Sequence, residues 1–311
     1  MTRILVTPRS LSKGDHQGLA PLRAAGYELE MPCPGATPSE ADLIVALPGC
    51  VGWIAGVEPV SQKAITAATD LRAISRNGTG VDNLPMPIID ERNITVCRAQ
   101  ATNARGVSEL ALTLALSGLR RVVPTHCGMR AGEWPREIGR EIEGATIGVV
   151  GLGAVGAGFA TLCLALGAAV RGFDPFAPDN VIQHSGFSRV GLDSVFDDAD
   201  VVSLHAPMSP DGKPSITGRN FSAMNRGGVV INTARAGLVD ETALLKALQD
   251  GQVGTYATDV YDVEPPAQSE LLAHPAVLMT SHIGGFTKES VDRTTNRAVS
   301  NLLSALGHDE T

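Results

Sequence analysis

The chain has 311 residues, 43% of them hydrophobic and only 4% aromatic, with 34 glycines and a formal net charge of −8. That length accommodates two domains of ordinary size, and the acidic balance, without a lysine or arginine cluster, argues against nucleic acid and against an anionic membrane surface. The richest apolar run, residues 110–119, falls short of the ~18 residues a membrane helix needs. The five cysteines, Cys33, Cys50, Cys97, Cys127 and Cys163, are odd in number, spread out and free of any CxxC pair. That pattern argues against a disulfide framework and a metal site, and points to a reducing, cytoplasmic setting. The opening "MTRILVTP" reads as a short strand and not as a signal peptide.

In the first hundred residues, short apolar runs alternate with helix-like segments. Residues 3–7, 27–31, 43–47, 71–75 and 94–98 predict strands; 12–25 and 60–69 predict helices closed by glycine or polar residues. A long apolar helix is predicted over 103–122, of the kind that bridges domains or packs against a second subunit. From 145 the alternation restarts. Strands are predicted at 146–151, 168–174, 200–207, 228–234, 255–260 and 276–281, and helices at 154–167, 191–199, 239–251 and 288–306. The fold class predicted is α/β: two parallel-sheet blocks joined near residue 100, with the last helix free to pack back on the first block.

"VVGLGAVG" carries Gly151, Gly153 and Gly156 in a GxGxxG spacing between a predicted strand and a predicted helix. The first glycine permits the tight turn, the second lets backbone approach a pyrophosphate, and the third lets helix pack on sheet. The amides that open the helix, at Ala154, Val155 and Gly156, then face the phosphates. The next strand ends in Asp174, close to the ~20-residue spacing of the acidic residue that holds a ribose diol. An aspartate there repels a 2′-phosphate, so NAD is expected over NADP. The carboxyl ends of successive predicted strands bring Asp174, His205, Arg235, Asp259 and His282 to one edge, where open α/β sheets bind ligands. His282 stands out, a titratable ring in "TSHIGGFT" where a buried strand ends.

With those residues in view, the sequence resembles the D-isomer-specific 2-hydroxyacid dehydrogenase family, especially its short phosphoglycerate dehydrogenase-like and hydroxypyruvate reductase-like members. The likeness runs in order through "ISRNGTGVDNL" (74–84), "ARGVSELAL" (104–112), "GVVGLGAVG" (148–156), "VVSLHAP" (201–207), "INTARAGLVDE" (231–241), "ATDVYDVEPP" (257–266) and "TSHIGGFTKE" (280–289). It implies two doubly wound parallel-sheet domains. A Rossmann cofactor domain of residues 99–285 is inserted in a flavodoxin-like substrate domain of residues 1–98 and 286–311.

The resemblance also implies a catalytic trio of Arg235, Glu264 and His282. Histidine is the type of group that gives and recovers a proton near neutral pH, a carboxylate beside it favours its protonated form, and arginine grips a substrate carboxylate through two parallel contacts. By the same likeness, Asp259 contacts the nicotinamide carboxamide. His205, Pro207, Thr233, Ala234 and Gly284 line the cofactor, and amides of Asn77, Gly78 and Thr79 receive the substrate carboxylate opposite Arg235. Relatives pair as homodimers through the helix matching 103–122 and through the cofactor domain.

The function expected is an NAD-dependent dehydrogenase of a small D-2-hydroxy acid. The substrate branch stays open among phosphoglycerate, hydroxypyruvate or glyoxylate, and another anionic acid such as a sulfonate. Phosphoglycerate-specific relatives often carry basic residues in the loop after the third strand, and "PGCVGWIAG" (48–56) has none. Trp53 there reads as an apolar wall or as plain packing, and Arg76 and Arg105 as distal-anion contacts or structural groups. Glu264 counts against formate enzymes of the superfamily, which pair the histidine with glutamine. Short of the extension that serine-regulated relatives carry, serine feedback is not expected. The competing reading is an NAD(H)-sensing corepressor without turnover.

Overall fold

The computed structural model describes residues 2–14, 16–209 and 211–308. It divides into two compact units, Met1–Asn103 with Thr287–Thr311, and Ala104–Phe286.

The first unit alternates β1 (Arg3–Val6), α1 (Arg9–Ser12), α2 (Ala20–Ala24), β2 (Glu28–Glu30), α3 (Glu40–Ala46), β3 (Cys50–Ala55), α4 (Gln62–Ala67), β4 (Ala73–Arg76), α5 (Met86–Glu91) and β5 (Thr95–Arg98). Its five strands are parallel, in the order β2-β1-β3-β4-β5. Three predictions need correction here. The run at 43–47, predicted as a strand, lies in and just after α3. Ser39 Oγ accepts from Asp42 N while the Asp42 carboxylate accepts from Ser39 N, a capping box that starts a helix whatever the apolar run beyond it suggests. The strand sits instead at Cys50–Ala55, inside the segment read as a loop. Trp53 on that strand is fully buried, so it packs the core and does not wall an open site. The helix predicted over 12–25 breaks into α1, a 3₁₀ turn at Gln17–Leu19 and α2, as Gly14, Gly18 and Pro21 weaken a continuous helix.

The second unit opens with α6 (Ala104–Leu119) and α7 (Val122–Arg130). Arg121 between them adopts a left-handed φ of 54°, which ends the predicted 103–122 helix early. The Rossmann alternation follows through β6 (Thr146–Val150), α8 (Ala154–Ala165), β7 (Ala169–Phe173), β8 (Phe187–Arg189), β9 (Val201–Leu204), α9 (Gly218–Ala223), β10 (Gly228–Asn232), α10 (Glu241–Gln249), β11 (Val253–Thr258), α11 (Glu270–Ala273) and β12 (Val277–Met279). The seven strands are parallel in the order β12-β11-β10-β9-β6-β7-β8. The helix predicted at 191–199 is only a 3₁₀ turn at Asp193–Val195. Asp240 caps α10 through Ala243 N.

Small residues let α6 lie close to its neighbours. A Cβ on Gly118 would meet Val229 on β10 at 2.7 Å, and one on Gly158 of α8 would meet Ser108 of α6 at 2.6 Å. The apolar stripe of α6 is therefore buried largely within its own unit. The final helix, α12 (Lys288–Ala305), belongs to the first unit, where Ala298, Val299 and Leu302 join Ile4, Val6 and Ile54 in one core.

Candidate active site

In the second unit the order of strands places the switch point between β6 and β9, the crevice where such sheets hold dinucleotides. The three fingerprint glycines have three different reasons to be there. Gly151 has φ +91°, and a Cβ on it would come 2.6 Å from the His205 carbonyl. At Gly156 a Cβ would come 1.9 Å from the Gly151 carbonyl oxygen. Gly153 meets nothing within 4 Å, which is the open side a pyrophosphate needs. Gly153 is also the N-cap of α8 and supplies no capping side chain, so the amides of Ala154, Val155 and Gly156 face that opening with the helix dipole behind them.

Asp174 follows β7 and leans on this loop. Its Oδ2 accepts from Leu152 N at 2.8 Å, and its Oδ1 from Phe176 N at 2.8 Å and Ala177 N at 3.2 Å. The carboxylate is thereby fixed beside the glycine turn, where a ribose diol would be read. Arg189, on the short strand β8 that sequence patterning missed, donates to the Asp174 carbonyl and to Asp179 Oδ1, each at 2.6 Å. The glycine cradle, the uncapped helix start and the anchored acid fit a dinucleotide.

His205 follows β9. Its Nε2 lies 2.9 Å from Ser203 Oγ and its Nδ1 3.4 Å from Thr233 Oγ1. Burial lowers its pKa from the usual 6.5 to about 3, although the ring keeps a little surface toward solvent. A neutral ring so placed is a wall of the crevice and not a proton carrier at neutral pH.

Arg235, Glu264 and His282 follow β10, β11 and β12, three neighbouring strands. Glu264 Oε1 lies 2.7 Å from His282 Nδ1. His282 has φ 54°, a conformation uncommon outside glycine and often found where a site constrains the chain. The constraint comes from Asp259, which is 2% exposed. Its Oδ1 accepts from Thr280 Oγ1 at 2.6 Å and Ile283 N at 2.8 Å, and its Oδ2 from Gly284 N at 2.8 Å. Tyr261 adds a hydrogen bond to the Thr280 carbonyl at 2.7 Å, and burial raises its pKa to about 12. Arg235 donates through Nη1 to the Ala234 carbonyl at 2.7 Å. This anchoring of the histidine loop by Asp259 and Thr280 was not legible in the sequence.

The model for the D-isomer specific 2-hydroxyacid dehydrogenase NAD-binding domain matches residues 112–284, a span that takes in Gly151, Asp174, Arg235, Glu264 and His282. The chain belongs to the D-isomer specific 2-hydroxyacid dehydrogenase family. Within the family it is similar to D-3-phosphoglycerate dehydrogenase of Bacillus subtilis (strain 168), 32% identical over 74% of this chain and 44% of that protein. It is also similar to the Homo sapiens protein of that name, 33% identical over 82% of this chain and 48% of that protein. The chain thus spans about half the length of the curated relatives it matches. A solved structure of the TT0316 protein from Thermus thermophilus aligns over 99% of this chain and 98% of its own, with a TM-score of 0.85 and 32% identity. The expected family, the two parallel-sheet α/β units and the NAD-binding fold all hold.

In the first unit, Asn77, Gly78 and Thr79 follow β4 at the carboxyl edge of its sheet. Asn77 N donates to the Ala55 carbonyl at 2.9 Å, so that amide is engaged in the fold. A Cβ on Gly78 would meet nothing within 4 Å. Arg76 is 5% exposed and donates through Nε to the Gly80 carbonyl and through Nη1 to the Ala55 carbonyl, which makes it structural. Arg105 pairs with Glu109 one turn along α6. Among the described residues no helix is long and apolar enough to cross a membrane.

Proposed function

We propose that the protein is an NAD(H)-dependent oxidoreductase that moves a hydride between the cofactor and a small D-2-hydroxy acid or its 2-keto form. The observation that carries this reading is the 2.7 Å contact of His282 Nδ1 with Glu264 Oε1, on the same sheet edge as the glycine fingerprint. When bound, the nicotinamide supplies or accepts the hydride. Glu264 engages Nδ1, which leaves Nε2 of His282 to give the substrate oxygen its proton in reduction and to take it back in oxidation. Arg235 holds the substrate carboxylate and polarises the neighbouring carbonyl. Residues 1–98 and 286–311 act as the substrate domain, and Asp174 favours NAD over NADP.

A homodimer is part of this reading. Helix α7 is nine residues long and buries none of them, too short to be stable uncovered in water. Val122, Met129, Trp134 and Ile138 are exposed along the same segment, and a second copy is the partner that covers them. The scattered cysteines favour a cytoplasmic setting.

The test is NADH oxidation followed by absorbance against a panel of 2-keto acids, with NADPH in parallel. Turnover of at least one acid with NADH preferred is expected. Tight NADH binding without turnover of any acid would favour a sensor.

A further inference from the structure

The order β2-β1-β3-β4-β5 puts the switch point of the first unit between β1 and β3, and a ligand of such a sheet meets that crevice. Thr7 and Gly56 stand on its two sides, and Glu58 closes its floor at 1% exposure. Hydrogen bonding there is inward. Thr7 Oγ1 donates to Glu58 Oε1, Gly56 N donates to the same oxygen at 2.8 Å, and Trp53 Nε1 donates to Thr7 Oγ1 at 3.0 Å. Asn83 Nδ2 ties down the Glu58 carbonyl at 2.6 Å. Val57, between Gly56 and Glu58, is exposed.

A phosphate or sulfonate needs several donors or a cation directed at it. At this crevice Thr7 Oγ1, Gly56 N and Trp53 Nε1 already serve Glu58 and Thr7, and the buried cation Arg76 holds the carbonyls of Ala55 and Gly80. Glu58 and Asp82 face the Arg76 charge and oppose the lowering of its pKa by burial. We propose that the end of the substrate remote from its carboxylate is uncharged, and that the Thr7–Gly56–Glu58 network with Val57 at its rim selects for this. The proposal rests on the dehydrogenase reading above and narrows it to acids such as glyoxylate, pyruvate or hydroxypyruvate. Arg9, exposed at the start of α1, is the cation through which the opposite preference would act.

The experiment measures kcat/KM with NADH for those three acids and for phosphohydroxypyruvate, in the wild type, Val57→Arg and Arg9→Ala. Thermal melting and NADH binding check that each variant is folded. The best acid with an uncharged remote end should exceed the phosphorylated one on the order of a hundredfold, the scale of an anion left without donors. Val57→Arg should narrow that ratio by about tenfold, as one charge-assisted contact would. Equal or better use of phosphohydroxypyruvate by the wild type would overturn the proposal, the more so if Arg9→Ala removes it. An unchanged ratio in a folded Val57→Arg would overturn the part given to this crevice. Bound NADH with no acid reduced would overturn the dehydrogenase reading itself, and the proposal with it.

Discussion

Glu264 Oε1 and His282 Nδ1 lie 2.7 Å apart, although eighteen positions and strand β12 separate them in the chain. The pairing decides which nitrogen is left for chemistry. His282→Ala should lower kcat by about 10²–10⁴-fold, the usual worth of a general acid–base group, with NADH affinity nearly unchanged. Glu264→Gln should cost less, since an amide oxygen can still hold Nδ1 in place but without the charge-assisted contact. Steady-state kinetics across pH, with NADH binding by fluorescence, checks both. Full turnover by His282→Ala would remove the histidine from the reaction.

Asp259 is expected to act on that histidine from behind. Its carboxylate takes the amides of Ile283 and Gly284 and the hydroxyl of Thr280. Asp259→Ala would strand the buried Gly284 amide and leave the half-buried Ile283 amide without this partner, at roughly 2–4 kcal/mol. The melting temperature should fall, and turnover should fall with it as His282 loses its left-handed conformation. Thr280→Val removes one bond and should show a smaller shift in the same direction. A stable, fully active Asp259→Ala would show that the loop holds itself.

The glycine fingerprint separates stability from affinity. Gly156→Ala puts a Cβ 1.9 Å from the Gly151 oxygen, so the turn between β6 and α8 must open and the unit should lose stability even without cofactor. Gly153→Ala has open space and φ −65°, so the fold should survive while the methyl stands in the path of the pyrophosphate. Calorimetry and NADH titration of the two variants should give opposite patterns: a lowered melting temperature for the first, and an NADH affinity lowered about tenfold or more at near-normal stability for the second, since ~1.4 kcal/mol is one factor of ten.

These residues also show what a sequence gives up and what it keeps. The GxGxxG turn, the acid after the next strand and the histidine at a strand end are local patterns, and each lies where its spacing put it. The run "LIVAL" failed as a strand because a five-residue apolar run has no distinguishing period; the deciding signal was Ser39 with Asp42 upstream. Strand β3 was hidden by the Pro48–Gly49 turn before it and by Gly52 inside it. Strand β8, "FSR", has one apolar residue in three and offers no pattern at all. The work of Asp259 depends on a loop that returns more than twenty positions later, and no local spacing encodes that.

His205 predicts a pH dependence of stability. Its pKa is lowered from 6.5 to about 3 in the folded protein, chiefly by burial. Between those values the unfolded chain carries the proton and the folded one does not, so stability is complete above about pH 6.5 and is lost as pH falls toward 3. The slope from this ring is at most ~1.4 kcal/mol per pH unit, less to the extent that the ring touches solvent. Carboxylates begin to take up protons only in the lower part of that range, so the interval from pH 6.5 to 5 reports mainly on histidine. Denaturant unfolding of the wild type and of His205→Gln across that interval should show a shallower slope in the variant, whose amide keeps hydrogen-bonding capacity toward Ser203 but binds no proton. Identical slopes would mean that the ring takes up its proton in the folded protein as readily as in the unfolded chain, and the wall it forms beside Gly151 would then carry a positive charge at mildly acidic pH.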